Sequence, residues 1–224
     1  MTDSAEQILA RLRSVQGAPC EAPAIAKALE ELGGAPITNM PNEELVSIFL
    51  QRLDSQQTSV TLTPDRSGAV RALSGHVYSL YSNRKVVAGF DARLAALPWR
   101  DGGILVRFDA ASPEDRVGVS FAKVGVAESG SLAVYCDRSN PASNNWLIQD
   151  HIILLDEADL VATYEQAWAR LRELQEDQGS PRGISFISGP SSTSDIMAEK
   201  VFGAHGPIRL HVILVGSKAA GLAS

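Results

Sequence analysis

The sequence predicts an α/β protein: a mixed, mostly parallel sheet covered by helices, preceded by an N-terminal helical extension. Three observations lead there. Apolar residues recur at helical spacing through the first third of the chain, short β-rich runs take over from Ser59, and helical windows lie between several of those runs. Strands that alternate with helices build sheets whose faces are covered, because parallel neighbours need a long crossover between them.

In Asp3 to Gln16 the residues Ile8, Leu9, Leu12 and Val15 share one helical face, with Asp3 or Ser4 as cap and Gly17 as stop. A second helix is expected over Pro23 to Leu32, with Ile25, Ala28, Leu29 and Leu32 on one side and Gly33-Gly34 as exit. A third follows the cap Asn42. Glu43 and Glu44 complement its positive first turn, and Leu45, Ile48, Phe49 and Leu53 form its buried face. The β runs are Ser59 to Thr63, Lys85 to Val87, Ile104 to Phe108, Ser131 to Cys136, His151 to Leu155, Gly183 to Ile187 and His211 to Val215. Thr163 to Asp177 is the clearest crossover helix, with Tyr164, Ala167, Trp168 and Leu171 on one face. Gly179-Ser180-Pro181 reads as a short linker. The expected organisation is a helical region at 1–57 packed on the core, an α/β domain at 58–217 and a flexible tail at 218–224.

Composition narrows the function. Of 224 residues, 45% are apolar and 21% charged, enough for one sizeable core. The net charge of −6, with Lys and Arg scattered, speaks against a phosphate backbone, so no nucleic-acid partner is expected. The longest apolar stretches, such as Ile152 to Leu155, fall far short of the roughly 20 residues that span a bilayer, so no membrane partner is expected. The polar, acidic start Met1 to Glu6 lacks a secretory signal and predicts a cytoplasmic protein. The two cysteines, Cys20 and Cys136, are too few for a zinc or iron–sulfur site and are read as inert thiols. No metal and no resident cofactor is expected.

Two segments could carry chemistry. Ile184 to Ile196 reads as a strand running into a Gly/Pro/Ser/Thr loop and then a helix. Such a junction offers backbone N–H groups to an anion, with Ser188, Gly189, Ser191, Thr193 and Asp195 as candidate ligand-binding residues; the alternative is that Ser192 or Thr193 merely caps the helix. Val124 to Leu132 places Glu128 in a small-residue turn, where a carboxylate can act as nucleophile or base, or serve only the turn; Gly130 beside it lets a substrate come close. His205, in Gly203-Ala204-His205-Gly206-Pro207, is a candidate acid–base residue, with Gly206 next to it. No Gly-x-Ser-x-Gly elbow or Gly-x-Gly-x-x-Gly loop is present, which sets aside hydrolase and Rossmann dehydrogenase readings.

Four ordered blocks carry a family resemblance: Ala122 to Leu132, His151-Ile152, Ile187 to Ser191 continuing through Ser194-Asp195-Ile196, and Gly203 to Pro207. Together they resemble the LUD-domain family of lactate utilization, over roughly Pro36 to Gly216, and the short chain without cluster cysteines is similar to its C-type subunit. The resemblance implies the fold of the sugar-phosphate isomerase and coenzyme A transferase superfamily, and a role in oxidising L-lactate to pyruvate beside iron–sulfur partner subunits. Combined with the absence of cluster cysteines, the resemblance leads to the expectation of a non-redox subunit that binds a small carboxylate or a partner protein. Met197 stands where the family commonly has Glu, with Glu199 two residues on. Ala127-Glu128-Ser129-Gly130 is similar to the coenzyme A transferase loop whose glutamate attacks the acyl group, which makes acyl transfer by Glu128 the alternative function.

The Ser188 loop leaves the carboxyl end of one strand, whereas the His205 turn precedes the next. In a single parallel sheet these lie at opposite edges. For both to serve one carboxylate pocket with Glu128, Ser191 and Thr193, either the last strand is antiparallel or the His205 turn folds back.

Overall fold

The computed structural model describes residues 3–15, 22–33, 40–41, 44–194 and 200–216. The chain divides into two compact units, residues 1–37 and 38–224. The first contains helices α1 (Asp3–Val15) and α2 (Ala22–Leu32).

The second unit opens with α3 (Leu45–Ser55), β1 (Ser59–Thr63), α4 (Arg66–Tyr81), β2 (Lys85–Ala88), α5 (Ala92–Ala95), β3 (Leu105–Phe108) and β4 (Val117–Phe121). It continues with β5 (Val124–Val126), β6 (Ser131–Cys136), α6 (Ser143–Trp146), β7 (Asp150–Asp156), β8 (Leu160–Val161), α7 (Tyr164–Gln178) and β9 (Gly183–Ile187). A hairpin of β10 (Ser192–Ser194) and β11 (Lys200–Phe202) precedes β12 (Arg209–Val215). Asn42, Glu43, Cys20 and the tail from 218 lie outside the described residues.

The β runs form two main sheets. Six strands in the order β1-β12-β7-β4-β2-β3 are all parallel. Four more, β8-β5-β6-β9, form a second sheet in which β6 runs antiparallel to both neighbours. The mixed, mostly parallel α/β class holds.

Alternation along the strands sets the layers, because successive side chains point to opposite faces. Ile152 and Leu154 of β7, with Ile213 and Val215 of β12, pack on Ala69, Val70, Leu73 and Val77 of α4. Ile153, Leu155, Val212 and Leu214 point the other way, against Leu45, Val46, Phe49 and Leu53 of α3 and against Leu132 and Val134 of β6. Ala133 and Tyr135 on the far side of β6 meet Ala167 and Leu171 of α7. With both faces covered, the middle of β6 (Leu132–Tyr135) and of β7 (Ile152–Leu155) is continuously apolar rather than alternating. The expected cap Asn42 lies outside the described residues and Glu44 stands at the N-cap of α3 without a side-chain bond, whereas Thr163 Oγ1 accepts from Gln166 N–H at 3.4 Å at the start of α7. Asp65 does the same for α4, accepting from Gly68 N–H at 2.6 Å.

One local expectation fails. Ser192–Ser194, expected to lead into a helix, form β10, paired antiparallel with Lys200–Phe202. Ser192 and Thr193 therefore cap no helix, and the proposed helix-end anion site has no support among the described residues; Asp195, Met197 and Glu199 lie outside them. The alternating Ser/Thr residues pair as a strand because Lys200–Phe202 supplies the partner, a non-local contact that overrides turn-like composition.

Candidate functional site

The Ser188 loop and the His205 turn do meet, and the last strand is nevertheless parallel. Ser191 N–H donates to Pro207 O and Gly203 N–H donates to Ser191 O, both at 2.9 Å, so the His205 turn folds back on the loop. The opposite-edge difficulty disappears because β9 and β12 belong to different sheets. The loop leaving β9 crosses to the amino ends of β7 and β12.

A cavity of about 260 Å³ lies there. Its polar lining is Asn145, His151, Ser188, Ser191, Ser192 and His205; Trp146, Phe186, Ile187, Pro207 and Leu210 supply apolar wall, and Gly189 completes the loop side. The volume falls just under the roughly 300–1,000 Å³ of sites for drug-sized ligands, which suits a ligand of few heavy atoms.

Of the expected residues, Ser188, Gly189, Ser191 and His205 line this cavity. Thr193 is exposed on β10 and Gly206 packs beside Ser191 without lining the cavity; a Cβ on Gly206 would stand 3.1 Å from that of Ser191. Gly130 and Gly189 both have positive φ, +66° and +90°, and both press on the end of α3. A Cβ on Gly130 would come within 2.9 Å of Arg52 Cβ, and one on Gly189 within 3.1 Å of Gln56 O. The close approach that calls for glycine at Gly130 is by α3, not by substrate.

Glu128 corrects the single-pocket expectation, since it does not line the His205 cavity. The β5–β6 turn directs it to the start of α7, where Glu128 Oε1 accepts from Tyr164 N–H at 2.9 Å. An acidic group is favoured there by the helix dipole and by the unpaired first-turn N–H groups. Glu128→Gln is therefore expected to lower stability by about 0.3–1 kcal/mol while leaving ligand affinity in the cavity unchanged. A urea titration beside a ligand titration checks it; loss of binding with stability intact would return Glu128 to the site.

The turn and the loop are joined by hydroxyls instead. Ser131 Oγ lies 2.8 Å from Ser129 Oγ and 2.6 Å from Tyr164 Oη, and it also hydrogen-bonds Ser188 Oγ. Gln56 Nε2 donates to Ser129 O at 2.6 Å, tying α3 to the same cluster. Ser188 is thus held at the cavity by a hydroxyl chain centred on the buried Ser131.

Sequence reasoning passed over the most buried polar group in the wall. His151 is 1% exposed, its Nε2 lies 2.8 Å from Ser120 Oγ, and its Nδ1 has no partner among the described residues. Burial lowers its pKa from the ordinary value to about 3, so the ring is neutral. Its position at the head of an apolar run was the only local sign of burial.

A larger cleft of about 550 Å³ opens at the carboxyl ends of β2, β4 and β7, the edge where open α/β sheets usually bind ligands. Its charges are matched among themselves. Lys123 Nζ pairs with Asp91 at 2.8 Å and Arg93 with Asp159 at 3.0 Å. Burial alone would raise the Asp91 carboxyl, but the Lys123 ammonium holds it below its ordinary value; Asp159 is pushed up by burial. None of the sequence-expected residues lines this cleft, so the smaller cavity is the better candidate. Among the described residues no group of three or more His, Cys, Asp or Glu could hold a metal, and no helix is long and apolar enough to cross a membrane.

Comparison with known proteins finds similarity over the region that holds the four blocks. A family model described as the LUD domain matches residues 112–215, the stretch from before β4 through β12. Lactate utilization protein C of Macrococcus caseolyticus is 28% identical over 193 residues, covering 81% of this chain and 82% of that protein. The protein of the same name from an Exiguobacterium species is 30% identical, over 60% of this chain and 63% of its own. Protein YkgG of Escherichia coli, described as uncharacterized, is 26% identical over 81% and 87%. A DUF162 family protein from Deinococcus radiodurans shares the fold with a TM-score of 0.59 at 20% identity, covering 80% of this chain and all of that one. Residues 112–215, which hold every segment of the candidate site, match the LUD domain, and the chain is similar over most of its length to lactate utilization protein C of Macrococcus caseolyticus and to YkgG.

Proposed function

We propose that this protein is a non-redox subunit of an L-lactate utilization system, working beside iron–sulfur partner proteins and holding a small carboxylate in the cavity between its two sheets. The observation that carries the reading is the convergence of the Ser188–Ser192 loop and the His205–Pro207 turn with Asn145 and His151 on one cavity of about 260 Å³. The names of the Macrococcus and Exiguobacterium relatives supply the metabolic context. The cavity combines polar groups from the loop, the turn and β7 with apolar wall from Trp146, Phe186, Ile187, Pro207 and Leu210, as a short carboxylate with an alkyl end requires. Electrons would be carried by the partners, because two cysteines cannot ligate a cluster alone.

The test has two arms. The purified full-length chain should be colourless, turn over no lactate alone and bind L-lactate in a calorimetric titration, with His205→Ala weakening binding about tenfold, the worth of one hydrogen bond to a charged group. Deleting the gene should abolish growth on L-lactate. A bound chromophore, lactate oxidation by the chain alone or undiminished growth of the deletion strain would each overturn the reading.

A further inference from the structure

We propose that His151 makes the cavity selective for a 2-hydroxy acid over the corresponding 2-oxo acid, by offering a bare Nδ1 lone pair to the ligand hydroxyl; the proposal rests on the carboxylate reading above. The argument follows the protons. Asn145, 4% exposed, turns its Nδ2 toward Cys136 Sγ at 3.5 Å, which leaves Oδ1 facing Ser120. The Ser120 hydroxyl donates its single proton to that Oδ1 at 2.9 Å. The Ser120 oxygen then has only acceptor capacity for the ring 2.8 Å away, so His151 carries its proton on Nε2. In a neutral imidazole the other nitrogen is a lone-pair acceptor. Nδ1 is that atom, and no group among the described residues donates to it.

A buried acceptor left without a donor is unfavourable and calls for a partner. His151 lines the cavity while its Nδ1 itself is covered, so a ligand that shifts the wall beside the ring is the available donor. A 2-hydroxy acid brings an O–H donor on the carbon next to its carboxylate. A 2-oxo acid presents an acceptor oxygen at the same place, setting lone pair against lone pair, and a plain carboxylic acid presents neither. Sites that hydrogen-bond a ligand hydroxyl discriminate strongly against analogues lacking it, because the site's own group is then stranded. The selectivity is fixed by Ser120, which does not line the cavity, together with Asn145, which does, because the two set the tautomer.

Calorimetric titration of the full-length chain with L-lactate, pyruvate and propionate at neutral pH tests this. L-Lactate should bind at least about tenfold more tightly than pyruvate, with propionate between them. Ser120→Ala removes the acceptor that holds the proton on Nε2, and should shrink the lactate preference without abolishing carboxylate binding. A second measurement needs no variant: nitrogen NMR of ring-labelled histidine in the wild-type chain should show His151 with Nε2 protonated and Nδ1 bare, and the Nδ1 signal should shift with L-lactate. Equal affinity for the three acids, or a ring protonated on Nδ1, would overturn the role of His151 while leaving the carboxylate reading in place. Failure of all three acids to bind would overturn both.

Discussion

Lowering the pH from 7 to 5 is expected to remove roughly 4 kcal/mol of folding stability, about 2 kcal/mol from each of two buried histidines. His151 and His211 both have their pKa lowered to about 3 in the folded chain, chiefly by burial. The proximity of His76 adds to the shift at His211: the two rings stack at 3.9 Å between centroids and 15° between planes. His211 is further held between Ser59 Oγ at 2.7 Å and Thr61 Oγ1 at 3.2 Å. His76, with Asp150 and Arg209 as its charged neighbours, is itself lowered, again mainly by burial. In the unfolded chain each ring takes up a proton near pH 6.5. Because the folded pKa is depressed, the contribution is fully present above pH 6.5 and is lost as pH falls from there toward about 3. Each histidine then steepens the pH dependence by at most about 1.4 kcal/mol per unit. Asp159, raised by burial, works in the opposite direction near the carboxylate range. Against a typical total of about 5–15 kcal/mol, a loss of this size brings the domain close to unfolding in mild acid. Urea midpoints at pH 7, 6 and 5 measure it. His211→Gln should roughly halve the slope, and a midpoint that stays level to pH 5 would contradict the argument.

The second large effect is asymmetric. Asp150, 2% exposed at the head of β7, accepts hydrogen bonds from Arg209 Nε, from Arg209 Nη2 at 2.9 Å and from the Tyr81 hydroxyl. Burial, with the hydrogen bond to Asp150 next, raises the Tyr81 phenol to about 12, so it remains a donor at all ordinary pH values. Removing Arg209 strands a buried carboxylate on one neutral donor, and Arg209→Ala is expected to cost about 3 kcal/mol. Removing Asp150 instead leaves an arginine whose side chain is 47% exposed and can turn to water, so Asp150→Ala should cost less, on the order of 1–2 kcal/mol. The double variant Asp150→Asn, Arg209→Leu should recover much of the loss from Arg209→Ala, because no buried charge remains. Equal costs for the two single variants would show that the pair behaves as an ordinary surface bridge.

What the sequence by itself determined was local. Helical spacing placed Phe49 and Leu53 on the inner face of α3 and Ala167 and Leu171 on that of α7, and both pairs are buried. β-Rich runs marked β1, β2, β6, β9 and β12 close to their ends, because a run of β-branched and apolar residues needs no distant partner to be recognised. Elements whose pattern is weak escaped. α4 opens with Ser67 and Gly68 and buries Ala69 and Ser74 among larger residues, and β4 is Val-Gly-Val-Ser-Phe, with a glycine that admits Asn144 O at close range.

Tertiary structure alone decided which strands share a sheet. That choice is a sum of non-local contacts, and here it put β9 and β12 in different sheets, which let the Ser188 loop and the His205 turn meet without reversing the last strand. It also decided the fate of individual side chains. Glu128, a free carboxylate by its sequence context, was drawn to the start of α7. His151, uninformative in sequence, became a neutral acceptor because Ser120, 31 positions away, holds its ring at Nε2, with Asn145 beyond it. Hydrogen-bond partners so far apart in the chain leave no periodic trace. Burial, which sets the charge of both residues' surroundings, exists only once the layers have closed.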